Sequence, residues 1–279
     1  MISWGVAWPS AKIVGQFIDS KTAIFIRFLF SALILLPICF FFKKSLSYKL
    51  FSFKIILLCS LAFLLYNYFF FTATNLGLAG TGGVLVTTTN PIITMVLMSI
   101  INKNKLSSNE LIGIIFGVIG GCLIIDVWNL GFLQIFNNGN IYFILCAITW
   151  SLLTIFIANF SDKSQSINFT FWVYIGVVII MTPFMNLNKI LNIFSLGFEF
   201  WIHFLIVSVG ALSFGTTIYF VASQKLGPKK SSSFIFTVPI SAMLTGIIVL
   251  NEKLTISTFL GCCLTIIAVL IINKNLQNQ

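Results

Sequence analysis

Charge is what this sequence has least of: only 8% of its 279 residues are Asp, Glu, Lys or Arg, and the whole chain holds six acids and one histidine. Soluble domains carry roughly 25% charged residues, so a water-facing surface cannot be assembled from this composition. The same scarcity excludes most catalytic chemistry. Asp19, Glu110, Asp126, Asp162, Glu199 and Glu252 are scattered singly near the ends of apolar runs. An intramembrane enzyme would need paired acids, a His-Asp pair or a nucleophile beside a base, and none is apparent. His203 stands alone, which leaves no histidine cluster for a metal; interfacial anchoring is the role expected of it. The six cysteines, Cys39, Cys59, Cys122, Cys146, Cys262 and Cys263, sit in or beside apolar stretches without C-x-x-C spacing and read as reduced, small hydrophobes. No metal, cofactor or nucleic acid is expected as a partner.

What the chain has in abundance is apolar surface, with 58% hydrophobic residues and a mean hydropathy of +1.06. A bilayer-spanning helix needs about 20 mostly apolar residues. Ten such runs are expected, near 2–18, 22–42, 52–74, 79–102, 108–126, 138–160, 167–187, 199–222, 230–251 and 255–273. No charged n-region precedes the first of them, so it reads as a spanning helix and not as a cleaved signal. The fold class expected is an all-α integral membrane protein, its main partner the lipid bilayer.

Positive charge orients the spans, because Lys and Arg collect in short cytoplasmic loops. With the N-terminus inside, eleven basic residues fall on the cytoplasmic side: Lys43, Lys44, Lys49, Lys54, Lys103, Lys105, Lys163, Lys225, Lys229, Lys230 and Lys274. Three fall outside, Lys21, Lys189 and Lys253, while Lys12 and Arg27 lie within spans. The net charge of +10 therefore reports an N-in, C-in topology. It does not report an acidic ligand.

Residues 2–126 laid over 148–273 bring recurrent features into register. Trp4, Phe25 and Pro37 fall on Trp150, Phe171 and Pro183 at an offset of 146, and Leu76-Gly77 falls on Leu226-Gly227 at 150. Pro91, Leu106 and Gly113 fall on Pro239, Leu254 and Gly261 at 148. The expected organisation is a first five-helix repeat over 1–126, an outer connection with the start of helix six over 127–147, and a second five-helix repeat over 148–279. Five spans per copy send the second copy in from the opposite side, so the repeats are inverted, as in secondary transporters whose halves rock around a midplane site.

Several stretches resemble the ten-helix EamA-type members of the drug/metabolite transporter superfamily. W-G-V-A-W-P-S-A-K-I (Trp4 to Ile13) is similar to that family's first helix and I-R-F-L-F-S-A-L-I-L-L-P (Ile26 to Pro37) to its second. T-T-T-N-P-I-I-T and F-T-V-P-I-S-A-M stand where it keeps proline-bearing helices, and N-E-K-L-T (Asn251 to Thr255) resembles its turn before the last helix. The equivalent turn of the first copy departs from this, with Asn104 where the second has Glu252. The resemblance implies a multi-pass permease of the bacterial inner membrane. It implies a central cavity lined by both repeats, alternating access, and substrates that are usually amino acids or other small organic solutes. An amino-acid-like exporter is the leading expectation, coupled to a proton or counter-solute gradient or working by exchange. Uptake or exchange of a cationic or nucleoside-like metabolite is the alternative, and a pore or scaffold finds no ring of charges or carbonyls to support it.

Ionisable groups inside spans cost roughly 2.5–3.5 kcal/mol at a helix centre on insertion scales, so each is a candidate for function. Lys12 follows Trp4 and Trp8 on one broad face of the first helix; beside aromatic walls it suits a substrate carboxylate, or else it snorkels to the outer interface. Arg27, the single arginine, is suited to bidentate anion binding, or it closes the outer ends of the first two helices as a gating or structural ion pair with Asp19. Tyr66, Asn67, Asn90, Trp150 and Tyr219 are further candidate substrate contacts, or interhelical glue. Pro9, Pro91 and Pro239 are candidate helix kinks. The G-x-x-x-G steps at Gly113, Gly117 and Gly121 read as close packing contacts.

Overall fold

A bilayer offers no hydrogen bonds to the backbone, so a chain this apolar must satisfy its amides internally, and it does so with helices. The computed structural model describes residues 1–41, 52–77, 79–125, 127–130, 140–160, 166–250 and 255–275, with no strand among them. Lys43, Lys44, Lys49, Asp126, Asp162, Lys163, Glu252 and Lys253 lie outside the described residues, as does most of the connection between the two expected repeats.

The longer helices are numbered along the chain. α1 (Ile2–Phe17) leads into α2 (Ser20–Phe41), which Asp19 caps by accepting from the Thr22 amide at 3.1 Å and the Thr22 hydroxyl at 2.9 Å. α3 (Phe53–Leu76) ends at Gly77, and α4 (Ala79–Ile101) follows. α5 (Ser108–Ile125) opens on a reciprocal capping box: the Ser107 amide donates to Glu110 Oε2 at 2.8 Å, and the Glu110 amide donates to Ser107 Oγ at 3.3 Å. A single turn at Val127–Leu130 precedes α6 (Asn140–Phe160) and α7 (Ser166–Met181).

α8 (Phe198–Leu226) changes character along its length, with π-helical winding over Ile206–Thr216. Gly227, at φ +83°, and Pro228 at the first helical position then turn the chain sharply into α9. α9 comes in three pieces, Pro228–Ser233, a 3-10 stretch Phe234–Thr237, and Val238–Leu250; α10 is Ile256–Asn275.

Six described helices are individually long and apolar enough to cross a membrane: Ser20–Phe41, Phe53–Leu76, Gly82–Ile101, Ile141–Ala158, Ser166–Phe184 and Phe198–Leu226. Shorter apolar stretches occupy Ser108–Leu123 and Phe259–Ile272, and α1 has 16 residues. The seventh expected run, to 187, stops earlier as regular α-helix, because Pro183 cannot donate to a continuing ladder and the chain tightens to 3-10 at Thr182–Phe184. Of the candidate kink prolines, Pro9 and Pro91 lie inside α1 and α4, which continue as helix through them, and next to Pro239 the winding changes from 3-10 to α. Leu33, Phe40, Ile115, Ile179, Phe214 and Leu270 are exposed on the outside of the bundle, an apolar rind suited to acyl chains.

The helices pair across the chain's midpoint. α1 lies against α8 and α9, α2 against α7 and α8, α3 against α6 and α7, α4 against α6, and α5 against α10. Exchanging each helix with the one five places on returns the same set of pairings.

The α5–α10 contact is close because its glycines lack side chains. A Cβ on Gly120 would come within 2.7 Å of the Gly261 carbonyl oxygen, and one on Gly113 within 2.3 Å of an Ile272 side-chain carbon. Gly120→Ala is therefore expected to force the two backbones apart at a cost of about 1–3 kcal/mol. Thermal unfolding of the purified protein in detergent checks this, with Gly210→Ala, where nothing lies within 4 Å, as the control that should shift little.

Candidate functional site

Trp4 and Trp150 occupy matching positions at the 146-residue offset, and the fold drives them together at its centre. Their rings meet edge to face at 5.0 Å and 88°. Tyr66 approaches Trp150 at 4.6 Å, Tyr219 approaches Trp4 at 5.0 Å, and Trp8 meets Phe70 at 4.8 Å. Offset and edge-to-face arrangements of this kind are favoured because the positive ring edge meets the negative face. The clustered rings border a cavity with about 510 Å³ of atom-free space, walled by residues of α1, α2, α3, α4, α6, α8 and α9.

The polar equipment of this cavity is sparse and specific. Arg27 is 5% exposed and reaches the wall from α2. Its Nε donates to the Val207 carbonyl at 3.0 Å and its Nη1 to Asn67 Oδ1 at 2.6 Å. The rings of Phe70 and Phe71 lie 5.5 and 5.8 Å from its guanidinium carbon. Asn67 is itself held by donating from Nδ2 to the Phe63 carbonyl at 2.9 Å. Asn90, 1% exposed, enters the wall from α4 and donates from Nδ2 to the Ala147 carbonyl at 3.2 Å and to Ser151 Oγ at 3.0 Å. Its Oδ1 accepts no hydrogen bond.

The π-wound stretch of α8 is the acceptor surface on which several of these side chains hang. π winding disrupts the ordinary i→i−4 ladder and is often found at functional positions. Here carbonyls of that stretch receive donors from three other helices: Val207 from Arg27, Ser208 from the Ser31 hydroxyl at 3.0 Å, Ala211 from Trp4 Nε1 at 3.1 Å, and Leu212 from the Tyr174 hydroxyl at 2.9 Å.

Of the eight residues expected to touch substrate, Trp4, Trp8, Tyr66, Asn90 and Trp150 line this cavity. Asn67 and Tyr219 stand one layer behind it, Asn67 holding Arg27 and Tyr219 bonding Thr154 at 3.1 Å. Lys12 is elsewhere. Its Nζ donates to the Gly77 carbonyl at 3.1 Å, at the C-terminal end of α3, where the partial negative charge of a helix end favours a cation. Lys12→Ala is accordingly expected to leave transport within about twofold of the parent and to cost about 1 kcal/mol of stability. A transport assay paired with a melting curve checks both.

The expected Asp19–Arg27 ion pair does not form. Asp19 bonds Lys189 at 3.0 Å instead, because its position at the end of the helix turns it toward the segment between α7 and α8, while Arg27 lies inside the bundle. Partial burial alone would raise the Asp19 carboxyl, but hydrogen bonds from Lys189 and Thr22 outweigh it and bring the group below the usual aspartate range. The pair is thus formed above that range and is lost as pH falls through the lowered value. A second ion pair joins Glu110 and Lys229 at 2.7 Å, with side-chain exposures of 8% and 21%. His203 Nδ1 lies 3.1 Å from Ser10 Oγ and ties α8 to α1.

Comparison with known proteins covers almost all of the chain. The profile of the EamA-like transporter family matches residues 1–126 and 137–274. A Bacillus subtilis (strain 168) protein named "Uncharacterized transporter YyaM" is 23% identical over 273 residues, spanning 95% of this chain and 88% of that protein. A protein of known crystal structure superposes with a TM-score of 0.75 at 13% identity, covering 99% of this chain and 95% of the other. At that identity the likeness shows the fold alone.

Proposed function

The chain belongs to the EamA-like transporter family and is a multi-pass membrane transporter of the drug/metabolite type, and from that premise we propose that it is a secondary carrier moving small amino-acid-like metabolites outward by alternating access. Ten spans form two inverted five-helix halves with both termini inside, in a bacterial inner membrane. The observation that carries this reading is the single wall shared by the two halves: Trp4 and Trp150, at matching positions, meet in one cavity bordered by helices of each. The pairing scheme supports it, since it is unchanged when helices are exchanged five places along.

Two ion pairs supply the rest of an alternating device. Asp19–Lys189 and Glu110–Lys229 each join one half to the other, and in the proposed topology they sit at the outer and inner faces respectively. Rocking the halves parts one pair while the other holds. The outer pair, with side chains 60% and 42% exposed, contributes no more than about 1 kcal/mol and parts readily. Of the runner-up, uptake or exchange of a cationic or nucleoside-like metabolite, the cationic form is disfavoured by the arginine on the cavity wall, which repels cations.

Purified protein in proteoliposomes, offered labelled amino acids and nucleosides with and without a pH gradient, tests the proposal. Saturable accumulation or exchange of amino acids supports it, and the pH dependence reports coupling. Movement of nucleosides or amines alone overturns the substrate class, and movement of no solute by folded protein overturns the carrier reading.

A further inference from the structure

Arg27 is a buried cation, and among the described residues no carboxylate pairs with it. Among the described residues the ion pairs are Asp19 with Lys189 and Glu110 with Lys229, and neither acid reaches Arg27. Burying a charge costs several kcal/mol unless an opposite charge and hydrogen bonds compensate. Here the compensation is partial: one carbonyl and one amide oxygen engage two nitrogens of a group that has five N–H donors, and two aromatic faces add cation–π attraction without adding a counter-charge. The guanidinium is also held in place, because Asn67 is fixed by its own bond to the Phe63 carbonyl. A rigid, under-neutralised guanidinium at a cavity wall is arranged to receive a planar anion.

Asn90 presents the complementary deficit. Its amide nitrogen is engaged by the Ala147 carbonyl and Ser151 Oγ, which sets the amide's orientation and leaves Oδ1 as a buried acceptor without a donor. Such an atom is costly to leave unmet and is well matched to an N–H carried in by a ligand. The same lining carries apolar surface from Trp8, Phe63, Phe70 and Leu212, with hydroxyl-bearing Tyr66, Thr87 and Thr216 among its other members.

We propose that Arg27 and Asn90 divide substrate recognition, Arg27 holding a carboxylate and Asn90 Oδ1 accepting from a protonated amine, so that the solute carried is a zwitterion on an apolar body with no further charge. This rests on the carrier reading. It excludes cationic side chains, which the guanidinium repels, and disfavours dicarboxylates, for which the described wall offers a single cation.

The test uses L-phenylalanine, L-phenylalaninamide and 3-phenylpropionate as competitors of labelled L-phenylalanine exchange in proteoliposomes, with thermal stabilisation of the purified protein as a second readout. The amide is expected to compete at least about 30-fold more weakly than the amino acid, and the deaminated acid about 10-fold more weakly. Arg27→Lys should erode the preference for acid over amide, whereas a purely structural arginine would weaken all three ligands alike. Asn90→Ala should narrow the gap between the amino acid and 3-phenylpropionate. If a variant fails to fold, the ligand series on the parent protein still decides. Equal competition by acid and amide overturns the proposal. So does the absence of amino-acid exchange where nucleosides or amines exchange saturably, an outcome that leaves the carrier reading standing; if no solute of any class moves, the carrier reading fails and takes this inference with it.

Discussion

Trp150→Ala is expected to abolish transport and to destabilise the folded protein by about 3–5 kcal/mol, the range found when a buried large aromatic is truncated. Trp150 is 4% exposed and touches Trp4, Tyr66, Tyr219 and Phe63 at centroid distances of 5.0, 4.6, 5.6 and 5.8 Å. Within a bilayer, helix association depends on such packing, because lipid tails are as apolar as the side chains they would replace. Trp150→Phe retains one ring of the cluster and should recover most of the stability with only part of the transport. Melting curves in detergent and exchange rates in proteoliposomes separate the two effects. Wild-type exchange by the alanine variant would remove the aromatic cluster from the substrate path.

Glu110→Ala is the second large effect, because one carboxylate does two jobs. Oε2 accepts from the Ser107 amide in the capping box, while Oε1 meets Lys229 in the first turn of α9. Alanine removes both, leaving the Ser107 amide without its acceptor at about 1 kcal/mol and a partly buried ammonium unpaired, for a combined loss of about 3–5 kcal/mol, while the Ser107 hydroxyl still caps the residue-110 amide. Glu110→Gln keeps an acceptor for the Ser107 amide and gives up only the charge, so it should lose less stability. If the pair closes the inner face, Glu110→Gln should also change the ratio of inward-facing to outward-facing protein. Accessibility of a probe cysteine to membrane-impermeant reagents from each side would report that ratio. Identical labelling in parent and variant would reduce the contact to a structural tie.

The helices and much of the central wall were legible in sequence because hydropathy and residue identity survive without geometry. Trp4, Trp8, Tyr66, Asn90 and Trp150 are polar or aromatic interruptions of apolar runs, and such interruptions in a spanning helix are drawn toward the interior, where partners exist. Lys12 and Arg27 could not be ranked that way. Both are single cations in apolar helices, and what separates them is side-chain direction: Lys12, eight residues after Trp4, has turned far enough to meet the end of α3, while Arg27 points at Asn67 and Val207. The partners of Asp19 and Glu110 were equally hidden. Lys189 and Lys229 are 170 and 119 positions away along the chain, and no local pattern specifies which lysine a lone acid will meet. The winding of α8 left no trace either, since its apolar residues satisfy α and π periods alike.

That winding gives α8 an angular phase which the remainder of the helix inherits. An α-helix advances about 100° per residue and π winding, which closes i→i+5 bonds, advances less, so relaxing Ile206–Thr216 to ordinary α at unchanged length would overwind the helix and rotate everything downstream. Tyr219, now against Trp4 and Trp150, would swing off the centre, and the carbonyls that hold Arg27 and Trp4 would face elsewhere. The winding of this segment is therefore under tighter constraint than its composition: many apolar substitutions within it are tolerable, but a change that restores ordinary α winding at the same length is not.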